Sequence, residues 1–216
     1  MKKIKPNWPK IILNLLAFIP LAWLIINWAG GKLGPNPIQR AQDFLGDTAL
    51  IMLLISLSMT PIKNVTGYAK LGKYKKTFGL QAFYYAFSHV FVYAVIDYGL
   101  SLKLLWQSFL HLWYLWAGVP AFVILLVLAI TSLKKIKVWL GKKWKPLHRF
   151  VYLAGVLVVI HYILVMKGGS AIVGGNTVKP LIAGSVLIIL LAARLPFKRW
   201  FKRESAPATT LSDTKS

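Results

Sequence analysis

Ala121-Phe-Val-Ile-Leu-Leu-Val-Leu-Ala-Ile130 is ten residues without a polar side chain, and Lys134-Lys-Ile-Lys137 follows close behind. About 20 apolar residues in a helix cross the hydrocarbon of a bilayer, where no water satisfies backbone polar groups. Extended to residues 117–133, this stretch qualifies as a span. Five more flank it, at 10–28, 43–60, 79–98, 147–166 and 180–197. Composition agrees: 57% of the 216 residues are hydrophobic and 15% charged, with a mean hydropathy of +0.60. Soluble domains average about 45–50% apolar and about 25% charged residues. The expected fold is all-α, an integral membrane bundle of six transmembrane helices.

Charge orients that bundle. Lys and Arg number 27 against 5 Asp and Glu, a formal net charge of +22. In a soluble chain such an excess points to nucleic acid. Here the cations lie between apolar runs, so no nucleic-acid partner is expected and the lipid bilayer is the partner instead. Segments 1–10, 61–78, 134–149 and 194–216 hold 22 of the 27 basic residues, and segments 29–42, 99–116 and 167–179 hold the other 5. The positive-inside rule then places both termini in the cytoplasm, N-in/C-in. The first run follows Lys2, Lys3 and Lys5 as a signal peptide would, yet its apolar length exceeds the usual 7–15 residues and no Ala-x-Ala site follows. It is read as a retained helix.

Residues 1–200 form one transmembrane domain in this reading. Residues 201–216, polar and poor in apolar side chains, form a disordered cytoplasmic tail. Trp23, Trp28, Trp106, Trp113, Tyr114 and Trp116 fall near helix ends on the outer side, where amphipathic rings favour the headgroup region. Lys103, Gln107 and His111 recur at i, i+4 within 101–116, as in a helix lying in that interface. No repeat of 20–50 residues is visible.

The chain has no cysteine. That excludes disulfides, thiolate-ligated haem and Cys-ligated iron–sulfur clusters. Four histidines remain. His89 lies in the middle of the third run and His161 deep in the fifth. Ionisable groups at such depth are costly and mark functional sites by default; the plain alternative is a histidine hydrogen-bonded to Ser or Tyr on a neighbouring helix. Both runs point from inside to outside, so depth can be counted: His89 is about 15 Å beyond Gly79 and His161 about 21 Å beyond Leu147. The two are expected at similar depth. Two neutral imidazoles on facing helices suit the axial positions of a haem iron, whereas zinc wants four ligands and no carboxylate or thiol lies near.

His148 opens the fifth run at the basic surface, 13 residues or about 20 Å before His161. That separation suits a second haem, with an interfacial histidine as the alternative. In an ideal helix the two side chains point about 140° apart, a difference that a bend near Gly155 would reduce. His111 is assigned no role. Gly168-Gly-Ser-Ala-Ile-Val-Gly-Gly175 has a phosphate-loop spacing without its Lys and Ser/Thr and is read as a turn. Asp43 and Asp47 are expected to begin the second helix and Asp97 to end the third; no intramembrane acidic series of the proton-pump kind occurs.

Leu140-Gly-Lys-Lys-Trp-Lys-Pro-Leu-His-Arg-Phe-Val-Tyr-Leu-Ala154, leading to His161, resembles the MsrQ family within the ferric-reductase-like transmembrane superfamily. Gly34-Pro-Asn-Pro37, Ser58-Met-Thr-Pro-Ile62, Lys75-Lys-Thr-Phe-Gly-Leu80 and Ala129-Ile-Thr-Ser132 add to the resemblance, which covers residues 8–200. It implies a haem b membrane subunit in the bacterial inner membrane. The donor it implies is the quinone pool or a cytoplasmic flavin reductase. The acceptor is a periplasmic molybdenum-cofactor methionine sulfoxide reductase subunit that repairs oxidised proteins. By motif position the haem histidines are His89, His148 and His161. FMN is implied by resemblance alone, and Lys75-Lys76 stand where arginines are common. Two other readings compete: a ferric or cupric reductase membrane core, disfavoured for want of a soluble NADPH/FAD domain, and a non-redox permease or structural membrane protein.

Overall fold

A computed structural model of the chain describes residues 8–167 and 178–194, and every regular element among them is helical. The glycine-rich 168–175 segment, the end of the sixth run and the tail lie outside the described residues. Two short helices open the chain, α1 (Trp8–Leu16) and α2 (Ile19–Ala29), the second with Pro20 in its first turn. The break between them frees the Ala17 carbonyl, which accepts the Tyr85 hydroxyl at 2.6 Å. The first apolar run is thereby tied into the bundle, with Ala17 and Leu24 buried.

α3 spans Pro37–Thr66 and begins six residues before the expected start. The cause is local: Asn36 accepts the Gln39 N–H at 3.3 Å and Pro37 supplies a preset helical φ at the first position. Asp43 and Asp47 therefore sit in the second and third turns rather than at the helix start. The helix continues through Pro61 and stops at Gly67, whose φ of 71° turns its N–H onto the Lys63 carbonyl at 2.9 Å. A short 3₁₀ segment, Ala69–Lys73, leads to α4 (Lys75–Phe91), which widens into a π-helical turn over Val92–Asp97.

α5 (Leu102–His111) has the expected helical form, capped by Ser101 on the Leu104 N–H, and meets α6 (Leu115–Ile130) at 117°. The basic segment between the fourth and fifth runs is itself helical: α7 (Lys134–Leu140), a 3₁₀ turn, and α8 (Trp144–Leu147). The chain then bends by 58° into α9 (Phe150–Lys167), and α10 (Val178–Ala192) completes the described residues.

Three helices are long and apolar enough to cross a membrane alone, Ile11–Ala29, Pro37–Thr66 and Ala69–Asp97, or up to five if each bent pair counts as one. Six spans are expected from the sequence. The difference lies in the two sharp bends and in α10, whose 15 residues measure about 22 Å against about 30 Å of hydrocarbon.

α3 lies along α4 and α6 along α9, α4 joins the two pairs through α6, and α10 packs on α9 and α3. Small residues permit the approach: Ala41, Ala82 and Ala154 are wholly buried. One core gathers Leu50, Leu53 and Leu57 with Leu125, Val159 and Leu187. A second joins α2 to α3 and α4 through Leu24, Leu45, Tyr85 and Val92. Ile26, Leu181 and Ile188 face outward, each more than half exposed. An apolar exterior around an apolar core is the pattern of a membrane protein.

Candidate functional site

His89 stands late in α4, one turn before the π-helical widening. Its Nδ1 lies 2.8 Å from the Gln42 carbonyl on α3. One turn further along α3 is Gly46, where a Cβ would stand 3.4 Å from that nitrogen. The Gln42 side chain in turn donates to the Asp97 carboxylate at 2.9 Å, binding the start of α3 to the end of the π turn.

His161 stands in the same way on α9. Its Nδ1 lies 2.8 Å from the Tyr114 carbonyl, the residue that opens α6. One turn further along is Gly118, where a Cβ would be 2.6 Å from Nδ1 and 2.8 Å from Cε1. No side chain fits there with the ring in place. The Tyr114 ring meets the imidazole edge-on at 5.7 Å between centroids.

These two constructions are copies displaced by 72 residues: Gln42, Gly46 and His89 correspond to Tyr114, Gly118 and His161. The wholly buried Ala82 and Ala154, and the buried Leu53 and Leu125, keep the same displacement. The bundle therefore contains two similar hairpins, each offering one histidine. The sequence shows no repeat at 20–50 residues because the period is longer and carried by a few contact positions. The glycines and the two carbonyls escape a sequence reading for the same reason: each partner lies more than 40 residues from its histidine.

Between the hairpins the imidazoles face each other, with centroids 6.3 Å apart and planes at 86°. A carbonyl can only accept, so each Nδ1 carries the hydrogen and each Nε2 keeps its lone pair, the tautomer of a metal-ligating histidine with an outer hydrogen bond. Two imidazoles opposed on one metal ion, at about 2.0–2.1 Å per bond, have centroids about 6.3 Å apart once about 1.1 Å from centroid to nitrogen is added on each side. The observed spacing fits a bis-imidazole site. No group of three His, Cys, Asp or Glu gathers among the described residues, so the pair suits an iron whose other ligands arrive with a porphyrin. Phe83 and Phe122, stacked at 6.2 Å, add aromatic surface where α4 and α6 meet.

His148 is not brought to this pair. It lies at the bend before α9, its Nε2 3.2 Å from the Thr131 hydroxyl and its ring 4.1 Å from that of Trp144. The Lys75, Lys137 and Lys76 side chains lie near it. The bend that re-aims it is at His148–Arg149, not near Gly155; Gly155 lies inside continuous α9 against Leu187. His111 remains on exposed α5, bonded at 2.8 Å to the Gln107 carbonyl of its own helix.

Residues 45–164 match the ferric reductase like transmembrane component family. The chain belongs to that family. The matched stretch is more than half of the chain and encloses His89, His148, His161 and both glycines. The magnetosome protein MamZ of Magnetospirillum gryphiswaldense is 34% identical over 203 residues, which cover 91% of this chain and 30% of that protein. The chain thus spans less than a third of the relative's length. A ferric reductase like transmembrane component points to electron transfer within the membrane, and a facing histidine pair at its centre agrees with that role.

Proposed function

We propose that this ferric reductase-like chain is a haem b electron-transfer subunit of the bacterial inner membrane, with six spans and both termini in the cytoplasm. The observation that supports it most is the His89–His161 pair, spaced for one metal ion and fixed in the ligating tautomer by two backbone carbonyls. A haem held there supplies reversible one-electron chemistry. The protein's own part is to aim two lone pairs, close the outer end through the Gln42–Asp97 bond, and surround the pair with apolar helices. Low local polarity and fixed ligand orientation are the levers by which a protein tunes such a centre.

Direction follows from charge. The basic segments around Lys75, Lys76, Lys137 and His148 form one end of the bundle, and Asp43, Asp47 and Asp97 lie toward the other. The basic end attracts an anionic donor, either quinol or a flavin carried by a cytoplasmic reductase; FMN enters this reading only through the MsrQ-like motif. Among the described residues the outer end gathers no metal-binding group, and in this reading it passes electrons to a docked protein. By the same resemblance the acceptor is the periplasmic molybdenum-cofactor methionine sulfoxide reductase subunit. A ferric or cupric reductase core shares the histidine pair and differs in its acceptor.

Reduced-minus-oxidised visible spectra of the purified protein test the reading. Wild-type protein shows b-type bands, and His89→Ala and His161→Ala each lose most of the bound haem while His111→Ala keeps it. A wild-type spectrum in both core variants excludes the pair. Reporter fusions after Lys10, Val65 and Lys202 read cytoplasm; a periplasmic carboxyl terminus excludes the topology.

A further inference from the structure

Two cations from different helices arrive at consecutive residues of α3. Arg194, just after α10, donates to the Leu57 carbonyl and to the Tyr152 hydroxyl of α9, and its guanidinium lies 4.8 Å over the Tyr152 ring. Lys75 opens α4, and its carbonyl accepts the hydroxyl of Ser56, the neighbour of Leu57, at 2.9 Å. The two side chains are thereby held close enough for the Arg194 charge to act on the Lys75 ammonium.

No protein anion offsets them. Among the described residues neither forms an ion pair; the one bridge joins Lys179 to Asp47, and the three carboxylates lie toward the other end. The Leu57 and Tyr152 oxygens are neutral, and the Arg194 Nε–H is buried with no acceptor. Adjacent like charges and an unpaired buried donor are both costly. Nearby cations are placed otherwise: Lys76 donates to the Ser132 carbonyl at 2.6 Å, and Lys137 lies 4.3 Å over the Trp144 ring. The flank is apolar. Phe150 and Leu153, on the same helix as Tyr152, are close to half exposed, and Val138 and Trp139 on α7 are largely exposed. In a chain that spans a bilayer, such side chains meet acyl chains.

We infer that the phosphate of an anionic phospholipid seats between Lys75 and Arg194, with its acyl chains along Phe150 and Leu153. A phosphodiester supplies negative charge and acceptor oxygens together, and a guanidinium fork matches it. Basic pockets between spanning helices at the cytoplasmic side take headgroups of this kind. The apolar flank favours a lipid over a free phosphate. The site does not depend on haem at the central pair.

Native mass spectrometry of the full chain tests it, with phosphatidylglycerol and phosphatidylcholine of identical acyl chains added in turn. Wild type should hold phosphatidylglycerol at about tenfold lower concentration than phosphatidylcholine, the worth of one charge-assisted hydrogen bond. Lys75→Gln and Arg194→Gln should each remove most of that preference, whereas Lys142→Gln, on the exposed 3₁₀ turn at the same end, should keep it. Arg194→Gln also removes bonds within the bundle, so Lys75→Gln decides if that variant unfolds. Equal binding of the two lipids by wild type, or an unchanged preference in Lys75→Gln, overturns the site. An equal loss in Lys142→Gln assigns the effect to diffuse surface charge and overturns it too. Inorganic phosphate or flavin mononucleotide that displaces phosphatidylglycerol at equal concentration overturns the lipid as occupant.

Discussion

In the α3–α4 hairpin the histidine ring passes Gly46 at an ordinary contact distance, 3.4 Å to where a Cβ would stand; in the α6–α9 hairpin it passes Gly118 at 2.6 Å. The carbonyl that fixes the ring lies at 2.8 Å in both. The surroundings differ too. α2 packs against the first hairpin and sends it the Ala17 carbonyl, and the Gln42–Asp97 bond closes its outer end. In the second hairpin Tyr114 opens α6 directly after the 117° turn from α5, and its ring packs on the histidine. The first half holds its histidine from several directions, whereas the second relies on closeness. The same three-residue device therefore tolerates change unequally.

The largest expected effect separates the halves. Gly118→Ala places a methyl inside the His161 ring, and something must move by more than a few tenths of an ångström. Overpacking of this kind costs about 1–3 kcal/mol, and here the displacement falls on a proposed haem ligand, so haem retention should drop several-fold on purification. Gly46→Ala should keep near wild-type haem content. Equal losses in the two variants break the comparison. Ala82→Leu and Ala154→Leu come next. Both sites are wholly buried at equivalent positions, so each should cost about 1–3 kcal/mol in thermal unfolding and the two losses should be alike.

Smaller effects belong to one half only. Tyr85→Phe removes the bond to Ala17 and should lower stability by about 1 kcal/mol; Leu157, its counterpart 72 residues on, has no hydroxyl to lose. Smallest is Lys179→Ala. Its bond to Asp47 is 3.4 Å long with the lysine largely exposed, and such pairs contribute about 0–1 kcal/mol.

Much of the bundle was legible because lipid demands long apolar helices, and each of the six apolar runs is mostly helical where it is described, with breaks at Ala17–Phe18 and His148–Arg149. Boundaries were harder. Pro37–Gln42 are polar enough to fall outside an apolar count, although Asn36-Pro37 is a recognisable start signal. The bend at His148–Arg149 arises between Pro146 and the first turn of α9 and leaves no apolar signature. In the site, residue counting along two parallel helices puts His89 at about 15 Å and His161 at about 21 Å, similar enough to expect a pair, and the structure brings their rings together. Their supports were not legible. Gly46 and Gly118 look ordinary in sequence, since only the fold brings a ring to each.

The most direct test of the central claim is the ligation state of the haem iron proposed to lie between those rings. Ferric electron paramagnetic resonance should show a low-spin, bis-imidazole haem in the wild type. His89→Ala and His161→Ala should each convert that signal to high-spin or abolish it, to the same extent, because the pair acts on one ion. A wild-type bis-imidazole signal that survives either substitution contradicts the account.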